Sequence, residues 1–191
     1  MPSAETFSNP PVAALLRRLL LAGMSVVDPF ARNARWGTVT NDLNPRTTAD
    51  YHLDCNVFLD LMGCHGRKLD AGVLDPPYSA RQVKECYEGF GKTVIQADTQ
   101  MGWMRECKDK LDRVITPGGI VISCGWSIGQ MGINRGYNIE EILLVAHGGG
   151  RHDTIISVER KVGSAPCTTG EFDTLSMPCP QPISNDDEES M

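Results

Sequence analysis

The chain has 191 residues, 41% of them hydrophobic, and a formal net charge of −6. That length suits one domain of ordinary size, and no apolar run reaches the roughly 20 residues that span a bilayer. The best stretch, Leu15–Leu21, is cut by Arg17 and Arg18. The acidic balance speaks against a strongly basic nucleic-acid binder, although Asp186, Asp187, Glu188 and Glu189 supply four of the negative charges near the end. The seven cysteines never stand at Cys-x-x-Cys spacing and are odd in number, so neither a disulfide framework nor a structural zinc site is expected. With no signal-peptide pattern, the reading is a soluble cytoplasmic protein without a metal.

The elements follow in chain order. Val12, Leu15, Leu16, Leu19 and Leu20 fall on one face of a helix expected over 11–22, capped by Ser8 or Asn9 and ended at Gly23. Short strands are expected over 25–30, 38–42 and 51–54, then a helix over 57–62. Ala71–Asp75 reads as a buried strand stopped by two prolines, with a helix after it from Ser79 through Tyr87. A longer helix is expected from about 99 to 115, and Ile120–Cys124 is another buried strand. Segments 141–146 and 154–159 read as a terminal antiparallel hairpin around a glycine-rich turn. The folded unit should run from 5 to 162, and the Pro-, Ser- and acid-rich 163–191 should be a disordered tail.

Alternating strands and helices imply an open, mostly parallel α/β sheet, which binds ligands beyond the carboxyl ends of its strands. Only seven residues separate the first two strands, fewer than the dozen or so of an ordinary parallel crossover. A sheet trimmed of its first crossover helix is therefore expected. Four acids terminate strands: Asp28, Asp42, Asp54 and Asp75. The last opens Asp75-Pro76-Pro77-Tyr78. An exocyclic base amine is a poor nucleophile, because its lone pair is delocalised into the ring. Acceptors on its N–H groups, such as the Asp75 carboxylate and the Pro76 carbonyl, would localise that lone pair. Pro76 and Pro77 remove backbone donors and stiffen the turn, and Tyr78 could stack on the base.

On these residues the chain resembles the amino-methyltransferases with a DPPY motif, above all the small phage-type adenine-specific DNA enzymes. The matching stretches are Glu5-Thr6-Phe7-Ser8, Val26-Val27-Asp28-Pro29-Phe30, Asn41-Asp42-Leu43-Asn44-Pro45, Asp75-Pro76-Pro77-Tyr78, Gly118–Ile122 and the final hairpin. The resemblance implies a Rossmann-like class I methyltransferase fold and S-adenosyl-L-methionine as methyl donor. It assigns catalysis to Asp75, Pro76, Pro77 and Tyr78. Donor binding falls to Phe7, Ser8, Asp28, Pro29, Phe30, Asp42, Leu43, Asp54 and Asp75. Within that set Asp42 would meet the ribose hydroxyls, Leu43 the adenine ring and Asp54 the adenine amine. The usual glycine-rich turn after Phe30 is replaced by Ala31-Arg32-Asn33-Ala34-Arg35-Trp36-Gly37.

The expected reaction is methylation of an exocyclic base amine, adenine N6 in DNA before cytosine. The alternatives are an RNA base and a non-catalytic donor-binding accessory protein. No block for choosing a DNA sequence is visible, so specificity is expected to be low, short-range or supplied by another chain, a separate specificity subunit or a homodimer, with no membrane partner. Arg32, Arg35, Arg81 and Lys84 could meet phosphates, although solvated charge is the plainer role. Trp126 reads as a core residue that could border the base, and His147 and His152 as turn residues.

Overall fold

A computed structural model describes residues 6–77, 84, 101–128, 130–147 and 153–162. The expected helix over 79–87 and tail over 163–191 lie outside the described residues. Six strands form one sheet: β1 (Val26–Asp28), β2 (Val39–Thr40), β3 (Leu69–Leu74), β4 (Ile115–Gly125), β5 (Tyr137–Val145) and β6 (Thr154–Lys161). Their order is β2-β1-β3-β4-β6-β5. The pairs from β2 to β4 are parallel, and β6 is antiparallel to both β4 and β5. A mostly parallel α/β sheet with a C-terminal antiparallel hairpin is thus observed. The hairpin runs longer than its apolar segments suggested, because Tyr137, Asn138 and Ile139 continue the ladder ahead of a register shift before Glu141.

Period-two alternation divides the core between the two faces of the sheet. Val27, Leu74 and Val121 face a cluster built on α2 (Cys55–Cys64) and α3 (Met101–Val114), where Phe58, Met62 and Leu111 are fully buried. Val26, Val73, Ile122 and Ile156 face the opposite way, onto Leu15 and Leu16 of α1 (Pro10–Leu19). Helix α1 starts with prolines in its first turn, where their missing N–H groups cost nothing. Asn9 stands at its cap without a side-chain cap bond, contrary to expectation. The helix stops three residues before the expected end, since Leu20 already leaves helical geometry. No helix among the described residues is long and apolar enough to cross a membrane.

The crossover from β1 to β2, residues 29–38, contains no helix. Without glycine at its sharpest point, Arg32 takes the left-handed conformation at φ 52°, which costs a non-glycine residue about 1–2 kcal/mol. The loop's one glycine stands where a side chain would be tight. A Cβ on Gly37 would lie 3.0 Å from the Asp28 Cβ and 3.0 Å from the Val39 carbonyl oxygen.

The expected strand over 51–54 is reduced to a single parallel bridge between Asn41 and Tyr51. A side chain takes the place of the ladder. Buried Asn41 donates from Nδ2 to the carbonyls of Pro29 (3.1 Å) and Leu53 (3.0 Å), and its Oδ1 accepts from the Leu53 amide (2.9 Å). Sequence patterning reports β propensity but not such a substitution.

Two glycines test this packing. A Cβ on Gly119 would lie 2.8 Å from the Asp70 carbonyl oxygen and 2.8 Å from Ile115 Cγ2, whereas one on Gly63 in α2 meets nothing within 4 Å. Gly119→Ala should lower stability by about 1–3 kcal/mol. Gly63→Ala should leave it unchanged or raise it by up to about 1 kcal/mol. Urea unfolding of both variants checks the contrast.

Candidate active site

A cavity of about 550 Å³ opens at the carboxyl ends of β1, β2 and β3. Phe7 and Ser8 reach it from a 3-10 turn (Thr6–Ser8) before α1, and Pro29 and Phe30 from the crossover. Asp42 and Leu43 border it just past β2, Asp54 at the head of α2, and Asp75 and Pro77 past β3. These nine expected residues, scattered over 71 positions of sequence from Phe7 to Pro77, therefore share one wall. Pro76 is half-buried beside the opening but not on its lining. Tyr78 lies outside the described residues.

Asp42 is held rigidly. Its Oδ1 accepts from the Asn44 amide at 2.8 Å, closing a turn before Pro45, and its Oδ2 accepts from the Arg32 amide at 3.0 Å. An ionised carboxylate offers about four acceptor sites, so capacity remains for a pair of hydroxyls. Asp54 is the N-cap of α2: Oδ1 accepts from the Asn56 amide (2.8 Å), and Oδ2 from the Trp103 indole N–H (3.4 Å). Trp103 also meets Phe30 edge-on, with centroids 6.1 Å apart, and lines the cavity. Trp103, Trp36 and Cys55 are wall residues that strand-end acids could not reveal, because they arrive from helices and the crossover. The amphipathic pattern of α3 was the one available signal for Trp103.

Asp28 stands apart from the other acids. It is fully buried at the end of β1 and does not form part of the lining, although its neighbours Pro29 and Phe30 do. Its Oδ1 accepts from the Phe30 amide at 3.0 Å, while Oδ2 has no hydrogen-bond partner among the described residues. Burial pushes its carboxyl up from 3.8 to about 8; the Phe30 amide opposes this, and the charges of Asp75 and Asp42 add to it. The same cluster reaches Cys124 on β4, whose thiol is raised by burial and then by Asp75 and Asp28. Cys55, Cys64, Cys107 and Cys124 are free thiols.

Of the remaining candidates, Arg32 is exposed and lines the cavity, Arg35 is committed to Asp50 (2.8 Å) and to the Thr48 carbonyl, Lys84 is exposed, and Arg81 and His152 lie outside the described residues. His147 Nε2 lies 2.9 Å from Thr154 Oγ1, as suits a turn residue. Trp126 is not a core residue: it is 41% exposed.

Sheet order, helix placement and the cavity beyond the strand ends define a Rossmann-like methyltransferase fold. Among solved structures, the chain is similar to TrmN from Thermus thermophilus, with a TM-score of 0.52 and 17% identity over 78% of this chain. It spans about half of that protein's length, 48%. It is also similar to the N-methyltransferase NodS from Bradyrhizobium japonicum WM9, solved with S-adenosyl-L-homocysteine. There the TM-score is 0.53, with 13% identity over 80% of this chain and 88% of NodS. No protein-family model matches the sequence, and no curated protein matches it.

The buried carboxyl has a measurable consequence. Between about pH 4 and 8 the folded chain holds a proton on Asp28 that the unfolded chain has released. Stability therefore falls as pH rises through that window, by at most about 1.4 kcal/mol per unit, and levels off above it. Urea unfolding of wild type and Asp28→Asn from pH 5 to 8 should show the wild type losing ground steadily to the variant. Parallel curves would mean that Asp28 titrates normally.

Proposed function

We propose that the chain is an S-adenosyl-L-methionine-dependent methyltransferase acting on an exocyclic base amine, adenine N6 in DNA. One observation carries this reading: Asp75 and Pro77 leave the central strand β3 directly into the cavity that Asp42 and Phe7 also wall. A proton-accepting group for an amine and a diol-binding acid thus open onto one space.

The residues present fit the donor. When bound, it supplies a methyl group on a positively charged sulfur. Asp42 would hold its ribose hydroxyls, and Leu43 with Leu53 would offer apolar contact to its adenine. Phe7 and Trp36 would close over the other end, where aromatic faces favour a cation. Asp28 Oδ2, without a hydrogen-bond partner among the described residues, would supply negative potential to that cation once the carboxyl is ionised. NodS, solved with S-adenosyl-L-homocysteine, supports a ligand of this kind on the shared fold.

At the reacting end, Asp75 accepts from the amine's N–H group, so that the lone pair on nitrogen turns toward the methyl carbon. With the methyl group supplied by the bound donor, the amine's surplus proton would pass toward the Asp75 carboxylate. The stiff Pro76-Pro77 turn fixes the distance between this acceptor and the donor pocket. The preference for DNA and for adenine rests on the sequence resemblance. A separate specificity subunit or a homodimer is proposed as the source of site choice.

Purified protein with methyl-labelled donor and separate pools of DNA, RNA and protein tests this. Label should enter DNA and digest to N6-methyladenine. Asp75→Ala should lower the rate by about 100-fold or more, in the range of a lost acid–base group. Asp42→Ala should instead weaken donor binding about tenfold, or about 1.4 kcal/mol. Label in RNA alone would replace the substrate, and donor binding without label in any pool would leave an accessory protein.

A further inference from the structure

A second cavity, of about 380 Å³, lies at the opposite edge of the sheet from the candidate active site. The ends of α2 and α3 wall it, just before the chain enters β3 and β4. Arg67, Lys68, Lys110 and Arg113 line it, against one carboxylate, Asp60. Four cations around one acid stand out in a chain of net charge −6. Local pairing leaves most of that charge uncompensated. Lys110 is satisfied, with Nζ 2.6 Å from Asp60 and 2.7 Å from Glu106. Lys68 Nζ donates to the Arg113 carbonyl at 2.7 Å, which ties the two rims together and leaves its charge in place. Arg67 and Arg113 are exposed, and neither guanidinium has an ion pair or hydrogen bond among the described residues. Three cations thus share one concave surface, which focuses their field.

The complementary charge stands in the same sequence. Asp186-Asp187-Glu188-Glu189 is its longest run of acids. The chain leaves β6 beside the end of α3 that carries Arg113. There Lys161 Nζ donates to the carbonyls of Asp112 (2.6 Å) and Ile115 (3.0 Å), one on either side of Arg113. Asp186 stands 24 residues past Val162. A chain of that length spans up to roughly 80 Å, so reach sets no limit. The tether makes the encounter intramolecular, with an effective concentration of about millimolar. A nucleic-acid backbone would suit the same cations, but a strand held at this edge would lie away from Asp75. The acidic run is the better match.

We propose that the cavity between the ends of α2 and α3 is a docking site for the acidic segment Asp186–Glu189 of the same chain, held by Arg67, Lys68 and Arg113. The docked carboxylates take the places that phosphates would otherwise fill, and close this face to unproductive polyanion binding. Only the choice of carboxylates over phosphates rests on the methyl-transfer reading; the anion site itself does not.

Zero-length carbodiimide cross-linking of the full chain, mapped by mass spectrometry, tests this. At low salt an amide should form between the Lys68 amine and a carboxyl of Asp186–Glu189 within monomeric protein. Its yield should fall about fivefold or more when salt is raised to about 0.5 M, which screens exposed charges. The Arg67→Gln/Arg113→Gln variant should lose it to a similar extent. The Lys110–Asp60 pair, 2.6 Å apart, should still cross-link in that variant and reports an intact fold. Links from the acidic run spread evenly over other lysines, or a Lys68 link unchanged in the double variant, would overturn the proposal. A link confined to dimers would also overturn it, by making a second copy the occupant. A short single-stranded DNA supplies the remaining arm. Neutralising the run (Asp186→Asn, Asp187→Asn, Glu188→Gln, Glu189→Gln) should tighten DNA binding about tenfold, and adding Arg67→Gln/Arg113→Gln should remove that gain. Equal DNA affinity in wild type and the neutralised chain, lost with the two arginines, would make this a phosphate-backbone site instead. Lack of methylation in every pool would leave the cross-link untouched, so the two readings fail separately.

Discussion

One buried amide ties together the segments that wall the cavity. Asn41 follows β2 and reaches both Pro29 in the crossover and Leu53 ahead of α2. Its own backbone is pinned as well: its amide donates to the Asp28 carbonyl at 2.8 Å, and its carbonyl accepts from Ala31 at 2.9 Å. Those bonds fix where Pro29, Phe30, Asp42 and Asp54 stand relative to one another. A buried amide that satisfies three partners is costly to replace, since each orphaned backbone group would carry a desolvation penalty of about 1–3 kcal/mol. The helix-free crossover is workable because this side chain supplies the bonds that a third strand would otherwise make.

That framework places three carboxylates close enough to feel one another, and the structure resolves the conflict by depth. Asp42 is satisfied by two backbone amides near the surface. Asp75 lies at the buried mouth of β3, and Asp28 lies deepest and keeps its proton to about pH 8. A neutral Asp28 lowers the repulsion among the three acids. Under the proposed function, a cation in the neighbouring cavity would reverse the balance, drawing the proton off and gaining an attraction in low dielectric.

Much of this was legible in sequence. Valine, isoleucine and leucine runs located β1, β3 and β4, and three of the four acids read as strand ends, Asp42, Asp54 and Asp75, border the cavity, while Asp28 is buried behind it. The short crossover was readable from residue counting, because the seven residues between the expected strands are too few for a helix; the observed strands are shorter, and the ten residues between Asp28 and Val39 still hold none. The parts that escaped depend on side chains meeting across long separations. Asn41 replacing a ladder, Trp103 bonding to Asp54, and the depth of Asp28 leave no local pattern. Trp126 was misread as core because hydrophobicity alone does not distinguish a tryptophan inside a strand from one that has just left it.

The central proposal is that the cavity receives a cationic sulfonium ligand whose charge reaches the buried Asp28 behind its wall. Calorimetry of S-adenosyl-L-methionine binding near pH 7, repeated in buffers of different ionisation enthalpy, counts the protons exchanged. The account predicts binding with net release of a substantial fraction of one proton, abolished in Asp28→Asn. Absence of binding, or equal proton release from wild type and Asp28→Asn, would contradict it.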